Sequence, residues 1–205
     1  MGGFYSRFVF PWLCDRLMGL PFLAEQRRRA LADVEGAILE IGFGTGLNLP
    51  CYPGQVRRIT AIDPNPGMNR LAMGRIARSG IEVDRRTLGG ESLPFPSGGF
   101  DCVVSTWTMC SIPDVGRALG EAYRVLRPGG RLVFLEHGLS PDPGVRRWQR
   151  RLNPIEGILA DGCRLDLDIE ALVRARPFDR VEVERFELKG LPRTHGTMYR
   201  GSAWK

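Results

Sequence analysis

Ala37-Ile38-Leu39-Glu40-Ile41-Gly42-Phe43-Gly44-Thr45-Gly46-Leu47-Asn48-Leu49 is the stretch on which the reading of this chain turns. A short apolar run is stopped by glycine, and glycine then returns at every second position. A strand buried on both faces reads as a continuous apolar run rather than an alternating one. Glycine lets the backbone turn tightly and approach a ligand closely. In open α/β sheets, ligands sit beyond the carboxyl ends of the strands, beside free N–H groups. Leu47-Asn48-Leu49 is expected to open a helix there.

The spacing narrows the ligand. A dinucleotide fingerprint, G-x-G-x-x-G, needs glycine where Leu47 stands. A P-loop needs a Gly-Lys-Ser/Thr ending, and no lysine is near. A nucleoside that bears an amino acid suits this loop better than a phosphate. The bland alternative is a tight strand-to-helix turn. Asp63 ends the next predicted strand, 17 positions after Gly46. An acidic residue at about that distance meets ribose hydroxyls. Its alternative role is to cap the helix predicted from Pro66.

Outward from the loop, strands and helices alternate. Strands are expected at 37–41, 58–62, 81–85, 100–105 and 131–136, with helices at 66–78 and 114–126. Pro94, Pro96, Gly98 and Gly99 mark a loop, and Arg127-Pro128-Gly129-Gly130 marks the end of the second helix. A helix and two strands follow within 166–176, 180–188 and 197–204. Residues 1–33 read as helical cover broken by Pro11 and Pro21. Pro141 to Asp161 reads as an insertion. The alternation argues for a parallel sheet covered on both faces. One domain of 205 residues is expected, with a helical lid at 1–33, a core at 34–137 and an acceptor-side part at 138–205.

Composition excludes several classes. Hydrophobic residues make up 43% and charged residues 25%, as in an ordinary folded domain. The net charge is +6, but Lys189 and Lys205 are the only lysines and the arginines are scattered, so no nucleic-acid partner is expected. The cysteines Cys14, Cys51, Cys102, Cys110 and Cys163 are odd in number and contain no C-x-x-C pair. That argues against a disulfide framework or a thiolate zinc site, so no metal is expected. Apolar residues near the N-terminus are interrupted by Arg7, Pro11, Asp15 and Arg16, too soon for a spanning helix. A cytoplasmic protein is expected, with weak peripheral membrane contact through residues 1–25 left open.

Further motifs follow the loop in order. Glu40 to Gly46, Asp63, Glu91-Ser92-Leu93-Pro94-Phe95, Phe100-Asp101 and Arg124 to Gly130 together resemble the class I S-adenosylmethionine-dependent methyltransferases. The resemblance implies a Rossmann-like, doubly wound, seven-stranded sheet, mostly parallel with the last strand antiparallel. A narrower likeness rests on Gly46-Leu47-Asn48-Leu49-Pro50, Thr106 to Ile112, Phe134 to Gly138, Arg147 to Arg150 and Gly162-Cys163. These look like the branch that includes thiol methyltransferases and bacterial relatives. Leu165-Asp166-Leu167-Asp168 departs from it, since relatives often carry an arginine there.

By motif, Glu40 would orient the loop or the amino-acid end of S-adenosylmethionine. Gly42, Gly44 and Gly46, with Thr45 and Asn48, would form the cradle. Asp63 would take the ribose hydroxyls, with Pro64, Asn65 and Met68 along the adenosine. Gly90 and Glu91 would lie near the adenine, and Ser105, Thr106 and Trp107 under the sulfonium. Tyr5, Trp12, Cys110, Trp148 and Cys163 are candidates for the acceptor pocket. Aromatic faces can stabilise a sulfonium, which adds Tyr5 and Trp107, although core packing explains Trp107 equally well. His137 is the candidate catalytic base at the end of the fifth strand, with a structural hydrogen-bonding role as its alternative. His195 is expected to be exposed, and Asp101 to serve the fold.

The expected acceptor is a small, lipophilic molecule, first a thiol and then a phospholipid amine or quinone-like phenol. A non-catalytic binding module stays as the other class. A nicotinamide oxidoreductase is disfavoured by Leu47.

Overall fold

The structure is a computed structural model that describes residues 3–205, without the side chain of Asn69. Seven strands form one sheet in the order β3-β2-β1-β4-β5-β7-β6. They are β1 (Ile38–Ile41), β2 (Arg58–Ile62), β3 (Glu82–Arg86), β4 (Phe100–Thr106), β5 (Leu126–His137), β6 (Arg180–Glu187) and β7 (Thr197–Trp204). The pairs among β1 to β5 are parallel, and β7 runs antiparallel to both β5 and β6. This is the sheet that the strand pattern and the resemblance led one to expect.

Alternate residues of each strand face opposite layers. Leu39, Ile41, Val103, Leu132 and Phe134 pack with helix α4 (Val115–Val125). Ile38, Ile59, Ala61, Val104 and Val133 pack on the other face with Leu31, Val34 and Ala72. Leu31 and Ala72 come from α2 (Pro21–Leu31) and α3 (Pro66–Ser79). The β1 face that carries Ile38 also carries Glu40, which therefore points a carboxyl into the second layer.

Several boundaries differ from the sequence reading for local reasons. Pro11 does not break the N-terminal cover. It sits in the first turn of α1 (Phe10–Met18), where a missing N–H costs nothing, after a π-helical turn at Tyr5–Val9. Pro21 opens α2 in the same way. The helix expected after the glycine loop is only a 3₁₀ turn at Leu49–Cys51, because Pro53 and Gly54 stop it. Strand β5 begins early, at Leu126, and a bulge between Phe100 and Cys102 absorbs the Pro-Gly-Gly stretch. The expected insertion is mostly helix α5 (Pro143–Leu159), capped by Asp142, whose Oδ1 accepts from Gly144 N and Val145 N. Asp168 caps α6 (Ile169–Arg174) by accepting from Ala171 N. His195, on the short turn α7 (Arg193–Gly196), is not free in solvent: its Nε2 lies 3.4 Å from a Glu156 oxygen.

Candidate active site

The glycine loop leaves β1 with three left-handed residues, Gly42 at φ 76°, Gly44 at 55° and Gly46 at 79°. A side chain at Gly42 would also collide with Thr108, whose Oγ1 lies 2.0 Å from a Cβ built there. Space beside Gly44 is open instead. Gly42 N and Phe43 N donate to Ile62 O at the end of β2. Gly44 N donates to Asp63 Oδ2 and Asn65 N to Asp63 Oδ1, both at 2.8 Å. The cap of α3 is Asn65, whose Oδ1 accepts from Gly67 N, so Asp63 is not spent on capping. Burial raises the Asp63 pKa, against the two N–H donors.

Beneath the loop lies a buried polar web. Glu40 accepts from Tyr52 Oη at 2.7 Å and from Asn48 Nδ2 at 2.9 Å, and Asn48 also donates to Thr106 Oγ1 at 3.0 Å. Burial pushes the Glu40 pKa up to about 7, although these donors and Arg27 work the other way. Arg27 is itself buried; desolvation brings its pKa down to about 10. Its guanidinium sits 4.6 Å from the Trp107 ring centre and donates to Met18 O. One face of Trp107 is therefore taken. Trp107 also holds φ at 50°, a costly conformation for a bulky residue, fixed in part by Trp107 N donating to Leu135 O.

The N-terminal cover closes over this edge. Tyr5 Oη donates to Leu159 O, Ser6 Oγ to Asp161 Oδ2, and Asn65 Nδ2 to Ser6 O. Arg75 on α3 joins α1 to the loop: it bonds Asp15 at 2.6 Å and donates to Thr45 O at 3.0 Å. Thr45 and Met68 are buried, Pro64 is exposed, and Glu91 is half-buried beside buried Gly90.

At the ends of β4 and β5, Glu136 is wholly buried. It accepts from Ser105 Oγ at 2.7 Å, Thr108 N at 2.9 Å and Met109 N at 3.2 Å. Burial raises its pKa to about 8. Next to it, His137 Nε2 lies 3.3 Å from Cys163 Sγ. Ligand atoms of Cys110, His137 and Cys163 lie within 4.8 Å of one another. The neighbouring Cys163 thiol and the His137 imidazole lower the Cys110 pKa, while Cys110 and burial raise that of Cys163. Thus two thiols 53 positions apart meet without any C-x-x-C spacing. Trp12 and Trp148 are not gathered in; each is more than half exposed, with an arginine over its ring.

Four contributors escaped the sequence reading. Arg27 passed as one of the scattered arginines, yet Leu23 and Leu31 at ±4 put it on the buried face of α2. A lone glutamate ending the apolar β5 run marked Glu136 in the same way. Tyr52 and Asp161 carried no local signal. Asp101 serves the fold: it accepts from Ala37 N and bonds Arg127.

The donor set at the loop fits a nucleoside without phosphates. The carboxylate of Asp63 has lone pairs left for hydroxyls, the cradle beside Gly44 is open, and the arginine that reaches the loop is engaged by Asp15. Comparison with known proteins agrees. Residues 39–134 match a family model described as a methyltransferase domain. The chain is 33% identical over 155 residues to human thiol S-methyltransferase TMT1A, covering 74% of this chain and 63% of that protein. It is 36% identical to phosphatidylethanolamine N-methyltransferase of Cereibacter sphaeroides, with 77% of each chain covered. It is 33% identical to demethylmenaquinone methyltransferase of Thermus thermophilus, with 73% of each covered. A crystal structure of an S-adenosylmethionine-dependent methyltransferase from Thermotoga maritima shares the fold, with TM-score 0.71, 23% identity and 98% of each chain covered.

Proposed function

The chain belongs to the S-adenosylmethionine-dependent methyltransferase family, and on that premise we propose that it methylates a small, lipophilic acceptor, a thiol first. The observation that carries the reading is the Gly42–Gly46 cradle braced on Asp63, facing the ends of β4 and β5. When bound, the cofactor supplies a methyl group on a positively charged sulfur.

Asp63 accepts the ribose hydroxyls while its N–H donors hold it still. Pro64, Asn65 and Met68 would follow the adenosine, and Gly90 with Glu91 would border the base. Glu40, through Asn48 and Tyr52, fixes the loop floor. Ser105, Thr106 and Trp107 would lie under the sulfur. The residues' main task is alignment, because in-line displacement needs donor, methyl and acceptor on one axis; such positioning contributes up to about 7–11 kcal/mol in favourable cases. The N-terminal cover, tied down through Tyr5, Ser6 and Asp15, excludes water.

A thiol, with a pKa of about 8.5, needs little help to ionise. That suits a site whose acceptor side holds two thiols and one imidazole, with the buried Glu136 carboxyl tied to Ser105, Thr108 and Met109. An amine or a phenol would need a base, and His137 stands in place for it; relatives named for phospholipid amines and quinones favour this second reading. Phe4, Phe8, Trp12 and Leu17 are exposed on the cover beside Arg7 and Arg16. This face would meet a lipid surface from which a greasy acceptor arrives. No helix among the described residues is long and apolar enough to cross a membrane.

A labelled-methyl assay across thiols, phenols, amines and phospholipids tests the reading. Label is expected on a lipophilic thiol. Transfer to amines or phenols alone overturns the thiol assignment, and transfer to no acceptor class overturns the enzyme.

A further inference from the structure

Cys110, His137 and Cys163 come from three separate elements. Cys110 lies in the 3₁₀ turn Met109–Ser111 after β4, His137 ends β5, and Cys163 follows α5. The backbone holds them together. Thr108 N and Met109 N donate to Glu136, the neighbour of His137, and Arg164 N donates to Cys110 O at 3.0 Å. Gly162, at φ 97°, and Asp161, at 49°, make the sharp turn that delivers Cys163.

All three side chains are buried, at 3%, 8% and 7% exposure. The imidazole is not committed elsewhere. Nδ1 has no hydrogen-bond partner among the described residues, and Nε2 faces the Cys163 sulfur. The nearby carboxylates are committed: Glu136 to Ser105, Thr108 and Met109, and Glu156 to His195. A donor set of two sulfurs and one nitrogen, with the Ser111 hydroxyl 3.7 Å from Cys110 Sγ as a neighbour, selects a thiophilic cation over magnesium or calcium.

We propose that Cys110, His137 and Cys163 bind one zinc ion whose fourth position is open to the sulfur of the acceptor. The second half rests on the thiol reading above. Ligand atoms around a tetrahedral zinc stand roughly 3.5–3.8 Å apart, given Zn–S and Zn–N bonds of about 2.3 and 2.0 Å. The observed cluster, within 4.8 Å, needs to close by about 1.0 to 1.3 Å at most. Binding releases the two thiol protons to solvent, and two thiolates then balance the divalent charge in a dry site. Three protein ligands leave a position free, as in catalytic rather than structural zinc sites. An acceptor thiol bound there gives up its proton to solvent. Its sulfur then forms the bond to the methyl carbon, the bond from that carbon to the cofactor's sulfur breaks, and the electron pair stays on the cofactor's sulfur. The neutral thioether is a poorer ligand and leaves.

The test uses the full chain, reduced and stripped with a chelator. Zinc is titrated against a chromophoric chelator, and cobalt(II) is then substituted as a spectroscopic probe. One zinc per chain and a thiolate-to-cobalt charge-transfer band are expected. Cys110→Ser and Cys163→Ser should each weaken zinc by roughly 100-fold or more, with S-adenosylmethionine binding as the check that they fold. Cys102→Ala, in the body of β4, should leave zinc affinity unchanged. No stoichiometric zinc in the wild-type chain, or a cobalt spectrum without charge transfer, overturns the site; so does zinc binding that survives both substitutions. Zinc binding without any thiol methylation upholds the site and overturns the open position together with the thiol reading. Equal thiol methylation by stripped and loaded protein overturns the open position alone.

Discussion

Glu40 carries more of the site's chemistry than its place in an apolar strand suggests. Its carboxyl is buried among Tyr52, Asn48 and Arg27, and burial lifts its pKa from 4.5 to about 7. The sign of the effect follows directly. Between these two values the folded protein holds a proton that the unfolded chain has released, so stability falls as pH rises through that window. The full shift corresponds to about 3 kcal/mol. Buried Glu136, raised to about 8, acts with the same sign. In the cofactor-free protein the melting temperature is therefore expected to drop between about pH 5 and pH 8, and Glu40→Gln to make the drop shallower below about pH 7. A wild-type slope that persists unchanged in Glu40→Gln would place the titration elsewhere. The lowered carboxylates Asp15 and Glu156 act at more acid pH, below their ordinary values of 3.8 and 4.5. At this scale the sequence was legible where a residue breaks its local pattern. Glycines at 42, 44 and 46 and an aspartate at a strand end stand out. Tyr52 does not, because nothing local tells a buried hydroxyl that meets Glu40 from an ordinary aromatic.

Among the elements, the N-terminal cover is tied down by contacts that can be tested singly. Gly67, in the first turn of α3, has ordinary helical neighbours, yet a Cβ there would stand 2.1 Å from Arg7 O. Gly67→Ala suits the helix and displaces the cover. Proteolytic cleavage within residues 3–19 is expected to rise, and S-adenosylmethionine affinity to fall, by roughly threefold or more. Unchanged cleavage and affinity would show that the cover is not part of the site. The core elements from β1 to β5 were readable from apolar runs and Gly/Pro punctuation. The 3₁₀ turn at Leu49–Cys51 was misread as a helix, since Pro53 and Gly54 cut short a pattern that otherwise suits one. The stretch that forms helix α5 was read as an insertion because of its prolines and tryptophan, with Arg146 to Arg151 on a solvated helix face. Pro143 occupies a first-turn position, and Pro154 is tolerated inside the helix.

At the scale of the molecule, topology makes the site. The strand order sends the carboxyl ends of β1, β4 and β5 to one edge, where residues 40–48, 105–110 and 136–137 meet. Cys163 and the cover reach the same edge from outside the core, which is why their meeting could not be read from spacing. A hollow of about 500 Å³ lies elsewhere, among Glu35, Asp101, Arg127 and Trp204, beside the Asp101–Arg127 ion pair. The central claim is that the Gly42–Gly46 loop and Asp63 hold a sulfonium nucleoside. Calorimetric titration tests it most directly. S-adenosylmethionine should bind the wild-type chain with micromolar-range affinity, a nicotinamide dinucleotide should give no heat, and Asp63→Asn should weaken the former at least about tenfold, or about 1.4 kcal/mol. Heat with the dinucleotide but none with S-adenosylmethionine, or unchanged affinity in a folded Asp63→Asn protein, would contradict it.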